Sequence, residues 1–102
     1  MPRGMRLTPN ALRVLALLYH DTEPHYGLSL SKTLSLGSGT LYPILDKLED
    51  AGLLTGTWED IDPHLAGRRP RRFYSLTGEG MRTFERERHA LLATLQGGVP
   101  HA

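Results

Sequence analysis

The chain has 102 residues, 39% of them hydrophobic, with 12 Lys and Arg against 11 Asp and Glu and no cysteine. This length allows one globular domain with a modest core, and the lack of cysteine excludes disulfides and thiolate metal sites. A net charge of +1 argues neither for nor against a nucleic-acid partner, so the placement of charge matters more than its sum.

Met1 to Leu7 reads as a loose basic arm. The apolar stretch after it is periodic and is interrupted by Arg13, unlike a secretory signal, and no apolar run is long enough to span a membrane. The first helix starts at Thr8-Pro9. Thr8 is a good N-cap, and Pro9 takes the first helical position, where its missing N–H has no role. The helix runs to about His20. Leu12, Leu15, Ala16 and Tyr19 trace one stripe, widened by Ala11, Val14 and Leu18, which implies burial against more than one neighbour.

Asp21 to Pro24 is a turn, because Pro24 drives Glu23 out of the helical region. A second short helix is predicted over Leu28 to Thr33, with Leu30 and Leu34 inward. Ser35 to Gly39 then links to a third helix, predicted from Leu41 to Ala51 with Thr40 as its N-cap. That start places Pro43 among first-turn residues whose N–H groups lack helical partners. In a helix interior Pro43 would cost about 3 kcal/mol or more, so an earlier start requires a tightened first turn. Leu41, Ile44, Leu45 and Leu48 share one face, and Gly52 supplies the stop.

Leu53 to Trp58 and Arg71 to Leu76 read as two strands of a hairpin with a long tip, punctuated by Asp62-Pro63, Gly67 and Pro70. Trp58 reads most simply as core of that sheet. A last helix begins at Thr77 and stops at Gly97-Gly98. The order is helix, helix, helix, strand, strand, helix. The predicted fold is therefore mainly α (α+β): a winged helix-turn-helix of three helices and a two-stranded wing, with a C-terminal dimerisation helix. Residues 1–76 form the DNA-binding domain, 77–96 the dimerisation helix and 97–102 a disordered tail. Too little domain remains to cover the stripe of Met81, Phe84, Leu91, Leu92 and Leu95, with Arg88 a polar interruption beside it. A second copy gives the simplest cover, and core within one subunit is the alternative.

Ser38, Gly39, Thr40 and Tyr42 carry the nucleic-acid signal. A helix N-terminus attracts phosphate through free N–H groups and its dipole, and the hydroxyls of Ser, Thr and Tyr are common phosphate partners. Pro43 fixes where that helix begins. Lys47 lies further along the exposed face, placed for a phosphate or base edge or simply solvated. Arg68, Arg69, Arg71 and Arg72 form a basic block in the wing, fit to track a backbone or enter a minor groove; the acidic block Glu59, Asp60 and Asp62 precedes it, and a solvated basic loop paired with those acids is the alternative. Arg68 and Arg69 are the favoured DNA contacts, and Arg71 or Arg72 is placed to pair with an acid. His25 and Tyr26 are further candidates, with a loop-capping role equally open for His25. The five histidines are scattered, so no metal or other cofactor is expected. No catalytic constellation supports an enzyme.

Together these residues resemble the PadR family of bacterial transcriptional regulators. The resemblance rests on His25-Tyr26-Gly27, on Ser38 to Pro43, on Leu48 to Leu54, on Trp58, and on Gly67 to Thr77, and it covers about Tyr26 to Gly80. It implies a cytoplasmic, homodimeric DNA-binding repressor of double-stranded operator DNA, with a small hydrophobic effector as a further partner. Three departures stand out: a short link between the second and third helices, an extra arginine giving Arg68-Arg69-Pro70, and a single short C-terminal helix without the tryptophan that lines the ligand pocket of some members. A winged helix acting only as a protein-interaction module is the alternative function.

Overall fold

A computed structural model of the chain describes residues 7–97. The first helix, α1 (Pro9–His20), starts where the sequence places it, with Thr8 Oγ1 accepting the Ala11 amide at 3.1 Å. Val14 and Leu15 on its inner face are fully buried. Arg13, on the outer face, donates to the Leu34 carbonyl at 2.5 Å and so clamps α1 to the end of the second helix. Leu7, expected in a loose arm, is half-buried against the core, while residues 1–6 and 98–102 lie outside the described residues.

The chain then forms β1 (His25–Tyr26), α2 (Gly27–Leu34), α3 (Ser38–Asp50), β2 (Leu54–Trp58), α4 (Pro63–Ala66), β3 (Arg72–Leu76) and α5 (Gly78–Leu95). The winged helix-turn-helix is the fold observed, with three corrections. First, the sheet has three strands, not two, in the antiparallel order β1-β3-β2. His25 pairs with Tyr74 and Tyr26 with Phe73 on one side of β3, while Leu54 pairs with Leu76 and Trp58 with Arg72 on the other. Second, α3 starts three residues earlier than predicted, with Gly37 rather than Thr40 at the N-cap. Pro43 therefore sits within the helix. The amides of Thr40 (3.1 Å) and Leu41 (2.9 Å) both donate to the Gly37 carbonyl, a tightened first turn of the kind such a start requires. Third, the wing tip contains a one-turn helix, α4. Asp62 caps it by accepting the His64 amide at 2.9 Å, Pro63 opens it and Gly67 closes it at φ 69°.

The core gathers Leu30 and Leu34 of α2, Leu41, Leu45 and Leu48 of α3, then Leu53, Leu54, Tyr74 and Phe84 around α1. The first half of α5 belongs to this core, so 76/77 is not a packing boundary: Gly80, Thr83 and Phe84 are buried. Thr77 Oγ1 donates to the Gly52 carbonyl at 2.6 Å and accepts the Gly80 amide at 3.0 Å, fixing α5 to the end of α3. Gly80 lies so close to β2 that a Cβ there would stand 2.1 Å from the Leu53 carbonyl oxygen.

Two apolar residues change place relative to expectation. Phe84, expected in a dimer seam, is core of the chain itself, its ring tilted at 45° to Tyr19 at 4.8 Å and edge-on to His20 at 5.9 Å. Trp58, expected in the sheet core, is 63% exposed at the end of β2, with the Arg72 guanidinium 5.4 Å from its ring. From Arg88 onward every described residue is exposed.

Candidate nucleic-acid interface

The inner leucines of α3 are buried, and this orients its other face. Ser38, Gly39, Thr40, Tyr42, Pro43 and Lys47 are all exposed, most of them clustered at the helix N-terminus. Gly39 has helical geometry without a positive φ, and nothing lies within 4 Å of a Cβ placed on it. Nothing inside the chain therefore requires glycine there, whereas the close approach of an outside backbone would.

The wing faces the same side. An open groove of about 380 Å³ is lined on one wall by Gly27, Leu28 and Tyr42 and on the other by Trp58, Arg69 and Pro70. Tyr26 carries Arg71 over its ring at 4.3 Å. Arg72 reaches back from β3 to Glu49 of α3 at 2.6 Å, so a charge-assisted hydrogen bond links the wing to the third helix. Glu49 shares in keeping the Arg72 guanidinium charged, holding it above the usual arginine range.

Arg68, a candidate DNA contact, is paired within the wing. Its guanidinium meets both Glu59 oxygens, at 2.6 and 3.0 Å. Glu59 also accepts the Arg71 amide at 3.2 Å. The Arg68 hydrogen bond is the main reason the Glu59 carboxyl lies below the usual glutamate range, with the Arg71 amide adding to it and desolvation opposing it. Arg69 is exposed, and its side chain has no hydrogen bond or ion pair among the described residues.

His25, for which the sequence leaves a phosphate contact and loop capping equally open, is buried. Its Nε2 lies 2.9 Å from Asp21 Oδ2 and its Nδ1 3.4 Å from Ser29 Oγ, so both ring nitrogens are engaged in bracing the turn before α2. The Asp21 carboxyl is held below its ordinary value, first by the Glu23 amide and then by His25. Tyr26 is half-buried in the sheet, its amide donating to Ser29 Oγ at 2.9 Å.

At the far end, α1 and α5 enclose an almost wholly apolar groove of about 520 Å³ lined by Pro9, Leu12, Ala16, Phe84 and Leu91. The Tyr19 hydroxyl donates to Glu85 at 2.8 Å, and Arg88 lies over the Tyr19 and Phe84 rings at 5.4 and 5.6 Å. Met81, Leu91, Leu92 and Leu95 are exposed by 47, 51, 45 and 71%. Among the described residues no group of His, Asp and Glu is placed to hold a metal, and no helix is long and apolar enough to cross a membrane.

Sequence reasoning missed Glu49, which lies 23 residues from its partner Arg72 and gives no local signal. It also missed the role of Gly27, over which Tyr42 packs. The Glu59–Arg68 pair is the alternative reading of the wing, in which its arginines pair with the acidic block before them.

A buried-face helix presenting hydroxyls from its first turn, joined to a basic wing, defines a winged-helix DNA-binding protein. The sequence model of the transcriptional regulator PadR-like family matches residues 14–86, and the chain belongs to that family. This is a family of DNA-binding transcription regulators, not of enzymes. Among solved structures, a PadR family transcriptional regulator from Eggerthella lenta is 34% identical, with a TM-score of 0.68 over 87% of this chain and 76% of that one. A transcriptional regulator homologue from Pyrococcus horikoshii is 26% identical, with a TM-score of 0.75 over 88% of this chain and 83% of that one. A PadR family regulator from Clostridium difficile is 21% identical, with a TM-score of 0.71 over 84% and 90%, which bears on the fold alone. No curated protein matches the chain.

Proposed function

We propose that this regulator is a repressor that binds a roughly palindromic operator as a homodimer, with α3 of each subunit in a major groove and the wing on the adjoining backbone or minor groove. The observation that carries the reading is that Tyr42, just past the exposed first turn of α3, and Arg69 of the wing line one groove. Ser38, Thr40 and Tyr42 supply hydroxyls for phosphate, Gly39 lets the backbone approach, and Lys47 is the candidate for a base edge. Repression follows from occupying promoter DNA.

The dimer reading is supported by the exposed leucines of α5, which continue the apolar groove between α1 and α5. A second copy related by a two-fold axis sets its own leucines against that groove. A small hydrophobic effector that relieves repression would enter at the same place. Residues 77–96 thus serve two roles, core at their start and seam at their end.

Selection of bound fragments from a random duplex pool tests the proposal. The expected product is an inverted repeat with half-sites about one helical turn apart. A pool that shows no enrichment, together with a stable protein partner, overturns it in favour of the protein-interaction module.

A further inference from the structure

We propose that the wing arginines are divided in role: Arg69 is the one that reaches DNA, and Glu59 is a positioning residue that holds Arg68 back from it. This rests on the DNA-binding reading above and goes beyond it, since the sequence favours Arg68 and Arg69 together and does not separate them.

Three of the four are already held. Arg68 is bidentate on Glu59 and also donates to the Arg69 carbonyl at 3.2 Å. Arg71 is fixed at both ends: its amide donates to Glu59, its carbonyl accepts the Glu59 amide at 2.7 Å, and its guanidinium covers Tyr26. Arg72 is bound to Glu49 and lies over Trp58. Arg69 alone combines exposure with a side chain that has no such partner among the described residues. Pro70 follows it, fixing φ and removing one amide from the loop, so Arg69 projects from a stiff support into the groove shared with Tyr42 and Trp58.

Glu59 makes the ranking a matter of charge as well as reach. Moving Arg68 onto a phosphate would strip Glu59 of two charge-assisted hydrogen bonds and leave its carboxylate facing the DNA backbone. The pair therefore presents almost no net charge. Replacing Glu59 with Gln keeps an acceptor for the Arg71 amide but frees the charge on Arg68.

The test is the salt dependence of binding, on a duplex selected from random DNA by the wild-type protein. Arg69→Ala is expected to flatten the slope of log K against log salt by about 0.9 per wing, and Arg68→Ala to leave it unchanged. Glu59→Gln is expected to steepen it by about the same amount. A purely structural role for Glu59 weakens binding without steepening the slope. If wild-type binding is itself independent of salt and sequence, the DNA reading fails. If the wild type binds steeply but Arg69→Ala keeps its slope, or Arg68→Ala flattens it equally, the division of roles fails. Should Arg68→Ala lose its cooperative melt, Glu59→Gln decides alone, and a slope equal to wild type overturns the proposal.

Discussion

The Tyr42 hydroxyl lies over Gly27, in space that any side chain at residue 27 would take: a Cβ there would stand 2.0 Å from the hydroxyl oxygen. Gly27 opens α2 and Tyr42 sits in the first half of α3, so the pair sets how closely the two helices of the helix-turn-helix meet. The obstruction is the tip of a mobile ring rather than backbone, so Gly27→Ala is expected to turn Tyr42 aside without unfolding the domain. The expected result is a thermal midpoint close to wild type and DNA affinity reduced about tenfold, the scale of one lost hydrogen bond to a charged group. Melting and gel-shift titrations on the same preparation check both halves.

Gly80 is the opposite case. There the obstructing atom is the Leu53 carbonyl oxygen, fixed in the backbone. Gly80→Ala must push α5 away from the end of α3, disturbing the Thr77 hydrogen bonds as well. The expected destabilisation is about 3 kcal/mol, at the upper end for overpacking, read from the shift of a urea midpoint at constant m-value. A midpoint equal to wild type shows that α5 moves freely there.

Leu92 is 45% exposed and lies on the outer part of α5. Leu92→Glu leaves the core of one subunit untouched and places a charge in the proposed seam. The expected outcome is a monomer by sedimentation, with secondary structure intact and operator affinity at least about tenfold weaker, since the two half-sites no longer reinforce each other. Sedimentation unchanged from wild type places the seam elsewhere.

The wing carries a pH signature. Its folded carboxyl lies below the ordinary glutamate value of 4.5, so the stabilisation that Glu59 gives the wing is present above that value. It is lost as the pH falls through the lower folded value. Hydrogen exchange of the Arg71 amide should therefore accelerate, relative to its intrinsic rate, only as the solution becomes more acidic than that ordinary value. In Glu59→Gln this extra acceleration should be absent.

Much of the helical frame was legible because its signals are local. Thr8-Pro9 marks a helix start, and the spacing of Leu41, Leu45 and Leu48 marks a buried face. The two-residue strand His25–Tyr26 was not legible, because two residues carry no periodicity and their pairing with β3 spans nearly fifty positions. The start of α3 was misplaced because the rule against internal proline is strong, while the relief at the Gly37 carbonyl is a geometric detail. Trp58 and Phe84 exchanged their expected environments for one reason: residue type announces burial in general, not which surface provides it. At the candidate interface, the exposed residues of α3 follow from its buried face. The sequence separates Arg68 and Arg69 from Arg71 and Arg72, but the choice between Arg68 and Arg69 depends on the contact with Glu59 across the wing and was not legible.

The wing strand β3 is hydrogen-bonded on both edges, to β1 ahead of α2 and to β2 behind α3, and Arg72 adds a tie to Glu49. The chain is thus a calliper with a fixed gap between α3 and the wing. In the dimer proposed above, an operator whose grooves did not match that gap would be fitted by bending the duplex, and half-sites set further apart or closer together would be accommodated at the joint between two callipers. Tolerance to spacing and tolerance to base sequence would then be governed by different parts of the molecule and be free to evolve separately.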